Sequence, residues 1–125
     1  MRKLVVRPLL LGAAVGALLA LASVASGSPT HDSHGAATTI QVTAGEFWFK
    51  LSAKTVAKPG PVTFAFKNVG KIPHDFKILG KATPVISPGQ SSSLTVRFTK
   101  AGSFPYVCTV PGHAAGGMKG VFTVR

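Results

Sequence analysis

The sequence predicts an all-β fold, a Greek-key sandwich of about seven or eight short strands, between residues 39 and 125. Two observations support this prediction. Apolar and polar residues alternate in several segments, which is typical of strands with one buried face. Turn-forming sequences separate these segments, among them KPGP at 58–61, NVGKIP at 68–73 and SPGQ at 87–90. No segment after residue 39 has a helical period, so two antiparallel sheets packed face to face are expected.

Each predicted strand has an inward face that its alternation defines. The first, TIQVTA, places Ile40 and Val42 on one side. The second, EFWFKL, places Phe47, Phe49 and Leu51 on one side and Trp48 on the other. The remaining predicted strands are PVTFAFKN, HDFKIL, SLTVRFT, SFPYVC and GVFTVR, with Val62, Phe64, Phe66, Leu94, Val96 and Phe98 among their inward residues.

The first 25 residues have the features of a secretory signal peptide. Three basic residues come first, residues 9–21 are apolar or glycine, and small residues allow cleavage after Ala25. The apolar run is short for a membrane span, although an uncleaved anchor is the alternative. We therefore predict a signal at 1–25, a flexible lead-in at 26–38 and a single domain at 39–125. The expected location is periplasmic or extracellular.

The chain is strongly basic, with 14 Lys and Arg against the three acids Asp32, Glu46 and Asp75. Its formal net charge is +11, and removal of the signal would lower this to +8. Such a surface favours acidic partners and speeds their encounter at low salt. Export, and basic residues that are scattered rather than clustered with aromatic ones, argue against nucleic acid. A solvated basic surface without a dedicated partner is the alternative.

The chain has a single cysteine, Cys108, so it forms no internal disulfide. Cys108 lies in YVCTVPGHAAGGMKG, where His113 and Met118 follow with the spacing Cys-x4-His-x4-Met. His74, at the start of HDFKIL, is a fourth candidate ligand. Two histidines and a cysteine with a weak axial methionine are diagnostic of blue copper. Each residue alone has an ordinary structural explanation, but the joint pattern predicts a copper site.

The ligand segment has the composition of a loop that can wrap a metal. Gly112, Gly116 and Gly117 permit tight turns, and Pro111 stiffens the first half. His74 belongs to a different predicted strand, so the sandwich itself would hold the site together.

These two segments resemble those of the cupredoxins, small type 1 copper proteins. The loop is similar to that of rusticyanin-like cupredoxins, in the pattern C-x-x-P-G-H-A-A-x-G-M-x-G, and NVGKIPHDF resembles the first ligand segment of the family. The resemblance covers residues 39–125 and is strongest at these segments. It implies one type 1 copper, with His74, Cys108 and His113 in the trigonal plane and Met118 as the axial contact.

The resemblance also implies a set of supporting residues, Asn68, Asp75 and Thr109. The family often has Asn where Asp75 stands, bonded to the hydroxyl residue after the cysteine, which here is Thr109. A carboxylate at this position is a departure from the family. It could lower the reduction potential through its charge, or pair with a nearby lysine. Such bonds around the ligands fix their orientation and tune the metal.

The resemblance implies that electrons pass through an exposed edge of His113 into a partner that contacts Pro111, Gly112, Ala114 and Ala115. The expected function is therefore an exported one-electron carrier, monomeric and not an enzyme. Its partners would be acidic redox proteins, such as a cytochrome, an oxidase or a copper reductase. The alternative is a copper carrier or scavenger, in which His31 and His34 of the lead-in could capture the metal. A nitrite reductase of the copper type would need histidines for a second, open copper site in addition to the four present.

Overall fold

The computed structural model describes Gly12 and residues 37–125, and the latter form nine strands without a helix in that range. No helix among the described residues is long and apolar enough to cross a membrane. Apart from Gly12, the predicted signal lies outside the described residues, as do His31 and His34 of the lead-in. The strands are β1 Thr38–Gly45, β2 Trp48–Leu51, β3 Thr55–Val56, β4 Gly60–Asn68, β5 Lys77–Ile78, β6 Lys81–Ala82, β7 Ser91–Phe98, β8 Gly102–Val107 and β9 Lys119–Val124.

The strands form two sheets, which confirms the predicted sandwich. One sheet has the order β2-β1-β4-β7 and the other β3-β9-β8-β5-β6. The expectation of purely antiparallel sheets was wrong at two pairings, because β1 pairs with β4, and β3 with β9, in parallel. Between β2 and β4 the chain passes through β3 in the opposite sheet, and such a crossover is what a parallel pair requires.

An aromatic core fills the space between the sheets. The ring of Phe64 lies 5.1 Å from that of Phe76 and 5.2 Å from that of Phe122, measured between centroids. These side chains are fully buried, as the alternation predicts for Phe64. The second predicted strand differs, because β2 begins only at Trp48 and Phe47 is 41% exposed. Phe47 stands in the turn before β2, where the alternation no longer applies.

Three segments meet at one end of the sandwich. Val69 N–H donates to the carbonyl of Ala44, which joins the segment after β4 to the end of β1. Lys77 pairs with Val107, so the residues before β5 lie beside those that follow β8. Residues 44–47, 68–76 and 108–118 therefore converge on a rigid scaffold, and these segments contain all four predicted ligands.

Candidate metal centre

The side chains of His74, Cys108 and His113 converge at this end of the sandwich. One ligand atom from each lies within 4.8 Å of the others, and all three residues are buried. The Nδ1 atoms of His74 and His113 are 3.1 Å apart, and Cys108 Sγ is 3.5 Å from His113 Nδ1. Both imidazoles thus turn the same nitrogen toward the thiol, which is the arrangement that a shared metal ion needs.

Hydrogen bonds within the loop fix the positions of Cys108 and His113. Cys108 N–H donates to the carbonyl of Met118 at 3.1 Å, and Met118 N–H donates to that of His113 at 3.0 Å. Gly112 and Gly117 have φ values of 84° and 110°, which side chains disfavour. Backbone hydrogen bonds and two positive-φ glycines therefore define the path of the loop.

Asn68 organises the segment that carries His74. Its buried side chain donates to the carbonyls of Ile72 at 2.9 Å and Ile86 at 3.0 Å, and accepts from Gly70 N–H at 2.9 Å. His74 in turn exchanges both backbone hydrogen bonds with Ile86. The Asn68 side chain forms hydrogen bonds with backbone groups and with none of the candidate ligand side chains, so it supports the site through the backbone.

Asp75 and Thr109 are paired as expected. The Asp75 carboxylate accepts from Thr109 N–H at 2.6 Å and from the Thr109 hydroxyl. Within residues 37–125 Asp75 forms no ion pair with a lysine, so that alternative was wrong. The buried carboxylate is satisfied by neutral donors, and its charge is left to act on the site.

The environment of Cys108 keeps a free thiol protonated. Burial raises the pKa of the Cys108 thiol, and the charge of Asp75 acts in the same direction. Backbone N–H groups of Asp75 and Val110 lower this pKa without reversing the shift. Because a metal binds the thiolate, coordination at Cys108 must release a proton.

Met118 is fully buried and starts beside the other three side chains, since its backbone bonds to both Cys108 and His113. Its function as the axial ligand stays a prediction.

Glu46 and Phe47, which were not predicted to belong to the site, contact the two histidines. Glu46 Oε1 lies 3.2 Å from His74 Nε2 and also accepts from the backbone N–H groups of Lys71 and Ile72. Mainly because of the Lys71 bond, the pKa of Glu46 falls to about 2. The ring of Phe47 meets that of His113 edge-on, with centroids 5.0 Å apart. Sequence spacing could not connect Glu46 with His74, although Glu46 is one of only three acids.

The exposed edge that was expected for His113 is not found. His113 is only 6% exposed, and Phe47, at 41%, stands over it. Of the predicted contact residues, Pro111, Gly112 and Ala115 are exposed and Ala114 is half-buried. The surface above the ligands is thus formed jointly by the loop and Phe47.

The donor set fits copper. A buried thiol with two imidazoles combines a soft ligand that favours Cu(I) with ligands that suit both oxidation states. The three ligand atoms lie close together, and the residues that carry them are buried from solvent.

Known proteins with related sequences and structures support this interpretation. The sequence profile of the cupredoxin-like domain matches residues 13–124. The copper-resistant cuproprotein CopI of Pseudomonas aeruginosa is 27% identical over 72% of this chain and 77% of its own length. CopI of Rubrivivax gelatinosus is 30% identical over 62% of this chain and 59% of its own length. The crystal structure of reduced auracyanin from Roseiflexus castenholzii superimposes with a TM-score of 0.62 at 28% identity, over 73% of this chain and 99% of that one.

Proposed function

The chain belongs to the cupredoxin-like family, and from this premise we propose that it is an exported one-electron carrier with one copper bound by His74, Cys108, His113 and Met118. The observation that carries the proposal is the convergence of three buried ligand atoms within 4.8 Å. Copper, when bound by such a set, supplies one-electron chemistry by changing between Cu(II) and Cu(I).

The protein's own residues supply rigidity and exclusion of water. The loop from Cys108 to Met118 is closed by backbone bonds, and His74 is held by its pairing with Ile86. Ligands fixed in this way do not need to rearrange when the charge at their centre changes. With Met118 as the fourth ligand, no coordination position is left for a substrate, so the proposed function is not enzymatic.

The proposed contact with a redox partner combines Pro111, Gly112, Ala114 and Ala115 with the exposed ring of Phe47. Small apolar residues suit a short-lived encounter, which needs little buried area. The basic surface would guide an acidic partner to this face. We propose that the protein is a monomer and that it acts in the periplasm or outside the cell.

A second candidate function is copper handling, in which the chain binds copper and passes it on. Two relatives carry the name copper-resistant cuproprotein, and this favours the second function as much as the auracyanin fold favours the first. The same four ligands would serve both functions.

The first experiment is a Cu(II) titration of the purified protein, followed by visible absorption and electron paramagnetic resonance. We expect an intense thiolate-to-copper absorption band that saturates at one copper per chain and is absent in Cys108→Ala. A pale complex, or copper binding that Cys108→Ala leaves unchanged, would contradict the site.

The two functions are then separated on the loaded protein. A reversible reduction potential at constant copper content, with slow loss of copper to a chelator, supports the electron carrier. Rapid and complete transfer of copper to the chelator supports copper handling instead.

A further inference from the structure

We propose that Glu46 is a positioning residue of the copper site, which fixes the tautomer of His74 and places a negative charge behind that ligand. This proposal deepens the site described above and rests on copper binding there. It does not depend on which partner the protein meets, or on whether electrons or copper are passed on.

The tautomer of His74 follows from the contact with Glu46. An ionised carboxylate only accepts hydrogen bonds, so the Nε2 atom of His74, 3.2 Å away, must carry the proton. In a neutral imidazole the other nitrogen then holds the free lone pair. That nitrogen is Nδ1, the atom that faces His113 and Cys108. Glu46 therefore presents the metal-binding lone pair of His74 before any metal arrives.

Glu46 is itself held by two backbone groups. Its Oε1 accepts from Lys71 N–H at 2.6 Å and from Ile72 N–H at 3.0 Å. These amides belong to the segment that leads directly into His74, so the carboxylate and the imidazole are restrained by the same stretch of chain. A carboxylate bonded by three donors has little freedom to turn away from the ring.

Gly70 makes room for this arrangement. A Cβ at position 70 would collide with the Glu46 carboxylate and come within 3.0 Å of His74 Nε2. The absence of a side chain there permits the carboxylate to reach the imidazole. The NVGKIPH segment is thus suited to both Glu46 and His74.

His74 and His113 differ in the hydrogen-bond partners of their rings. Within the described part of the chain, the imidazole ring of His113 has hydrogen-bond partners only at Nδ1, and the ring of Phe47 lies beside it. Only His74 is therefore oriented by a charged group. When a metal-bound histidine donates a hydrogen bond to a carboxylate, its other ring nitrogen becomes a stronger electron-pair donor to the metal. A stronger donor favours Cu(II) over Cu(I).

Two substitutions separate the hydrogen bond from the charge. Glu46→Gln keeps an oxygen acceptor and removes the charge, whereas Glu46→Ala removes both. Thr99→Lys is the matched control, because it also raises the net charge by one. Thr99 follows Phe98, which pairs with Gly60 at the end of β7 away from Asn68.

The tautomer is read in the metal-free protein by nitrogen NMR of the histidine rings. We expect a single Nε2–H form of His74 in the wild type and in Glu46→Gln, and a mixture of forms in Glu46→Ala. This measurement needs no copper, so it remains informative if the proposed function fails.

The charge is read in the copper-loaded protein. The reduction potential of Glu46→Gln should exceed that of Thr99→Lys, and a tenfold loss of preference for Cu(II) corresponds to about 59 mV. Glu46→Ala should bind Cu(II) roughly 10- to 100-fold more weakly, the usual effect of losing such a partner. A His74 tautomer that is unchanged in Glu46→Ala, or equal potentials for Glu46→Gln and Thr99→Lys, would overturn the proposal.

Discussion

Asp75 places a carboxylate next to the cysteine ligand, where it is 2% exposed and, among residues 37–125, its side chain is bonded only by Thr109. In a site closed to water, a charge acts over several ångströms with little screening. In the thiol form, burial raises the pKa of Cys108 and the charge of Asp75 acts in the same direction. The same charge should favour the more positive oxidation state of a metal bound to that sulfur.

Asp75→Asn should therefore raise the reduction potential of the copper-loaded protein, by an amount on the order of the 59 mV that a tenfold affinity change represents. Asparagine keeps the shape and an acceptor for Thr109 N–H. Voltammetry measures the potential, and an ultraviolet titration of the metal-free thiol should show a lower pKa for Cys108. Thr109→Val, which removes the hydroxyl and keeps the charge, serves as the control. An unchanged potential in Asp75→Asn would show that the charge is compensated.

Phe47 protects His113 from solvent, so its removal should affect exchange of the metal more than folding. We expect Phe47→Ala to lose copper to a chelator faster, while the free energy of unfolding falls by only about 1 kcal/mol because the ring is already 41% exposed. Trp48→Ala is the matched control, since Trp48 is the next residue and 43% exposed. Equal rates of copper loss in the two variants would show that Phe47 does not limit the release of copper.

In the segment from Asn68 to His74, the Asn68 side chain bonds three backbone groups. Asn68→Ala would leave Gly70 N–H and the carbonyls of Ile72 and Ile86 without their partner. Unpaired buried groups cost about 1–3 kcal/mol each, so we expect the metal-free protein to lose about 3 kcal/mol of unfolding free energy in urea.

Thr63→Ala is the control for this prediction. It lies on the same strand, but its hydroxyl bonds only Thr95 at the surface, and we expect a change within about 0.5 kcal/mol. Copper affinity should also fall in Asn68→Ala, because His74 loses its support. A stable Asn68→Ala protein with full affinity would mean that the segment is ordered by other contacts.

The main strands could be predicted from sequence because alternation is a local property. Val62, Phe64 and Phe66 of β4 are buried as their period-2 pattern indicates. The parallel pairing of β1 with β4 could not be predicted, since it depends on where the chain crosses between sheets. The two-residue strands β3 and β6 are too short to show a pattern.

Some residues of the candidate metal centre could likewise be predicted from sequence, and others could not. Cys108, His113 and Met118 are close in sequence, and residue chemistry with spacing identified them. Glu46 is separated from His74 by 28 residues, and their segments meet only because β1 pairs with β4 in the folded chain. Phe47 was assigned to the core by an alternation that ends at the turn. Contacts of this kind are properties of the fold and leave no periodic trace in the sequence.

For the molecule as a whole, the distribution of charge is the dominant surface property. All Lys and Arg except Arg2, Lys3 and Arg7 lie in the described domain, whose only acids are Glu46 and Asp75. Both acids are engaged at the candidate metal centre. The rest of the domain surface therefore carries no Asp or Glu side chain, and the net positive charge of the domain attracts anions.

This field predicts opposite salt dependences for oppositely charged redox reagents. Electron exchange with a hexacyanoferrate anion should slow as ionic strength rises, and exchange with a tris(phenanthroline)cobalt cation should become faster, because salt screens charges beyond about 10 Å at 0.1 M. Stopped-flow measurements over a range of salt test both. Lys71→Gln, next to the site, should reduce the salt dependence more than Lys58→Gln, which lies before β4 at the opposite end. Equal effects would mean that net charge alone attracts the anion, whereas a larger effect of Lys71→Gln would show that electrons leave at the end of the sandwich where Phe47 covers His113.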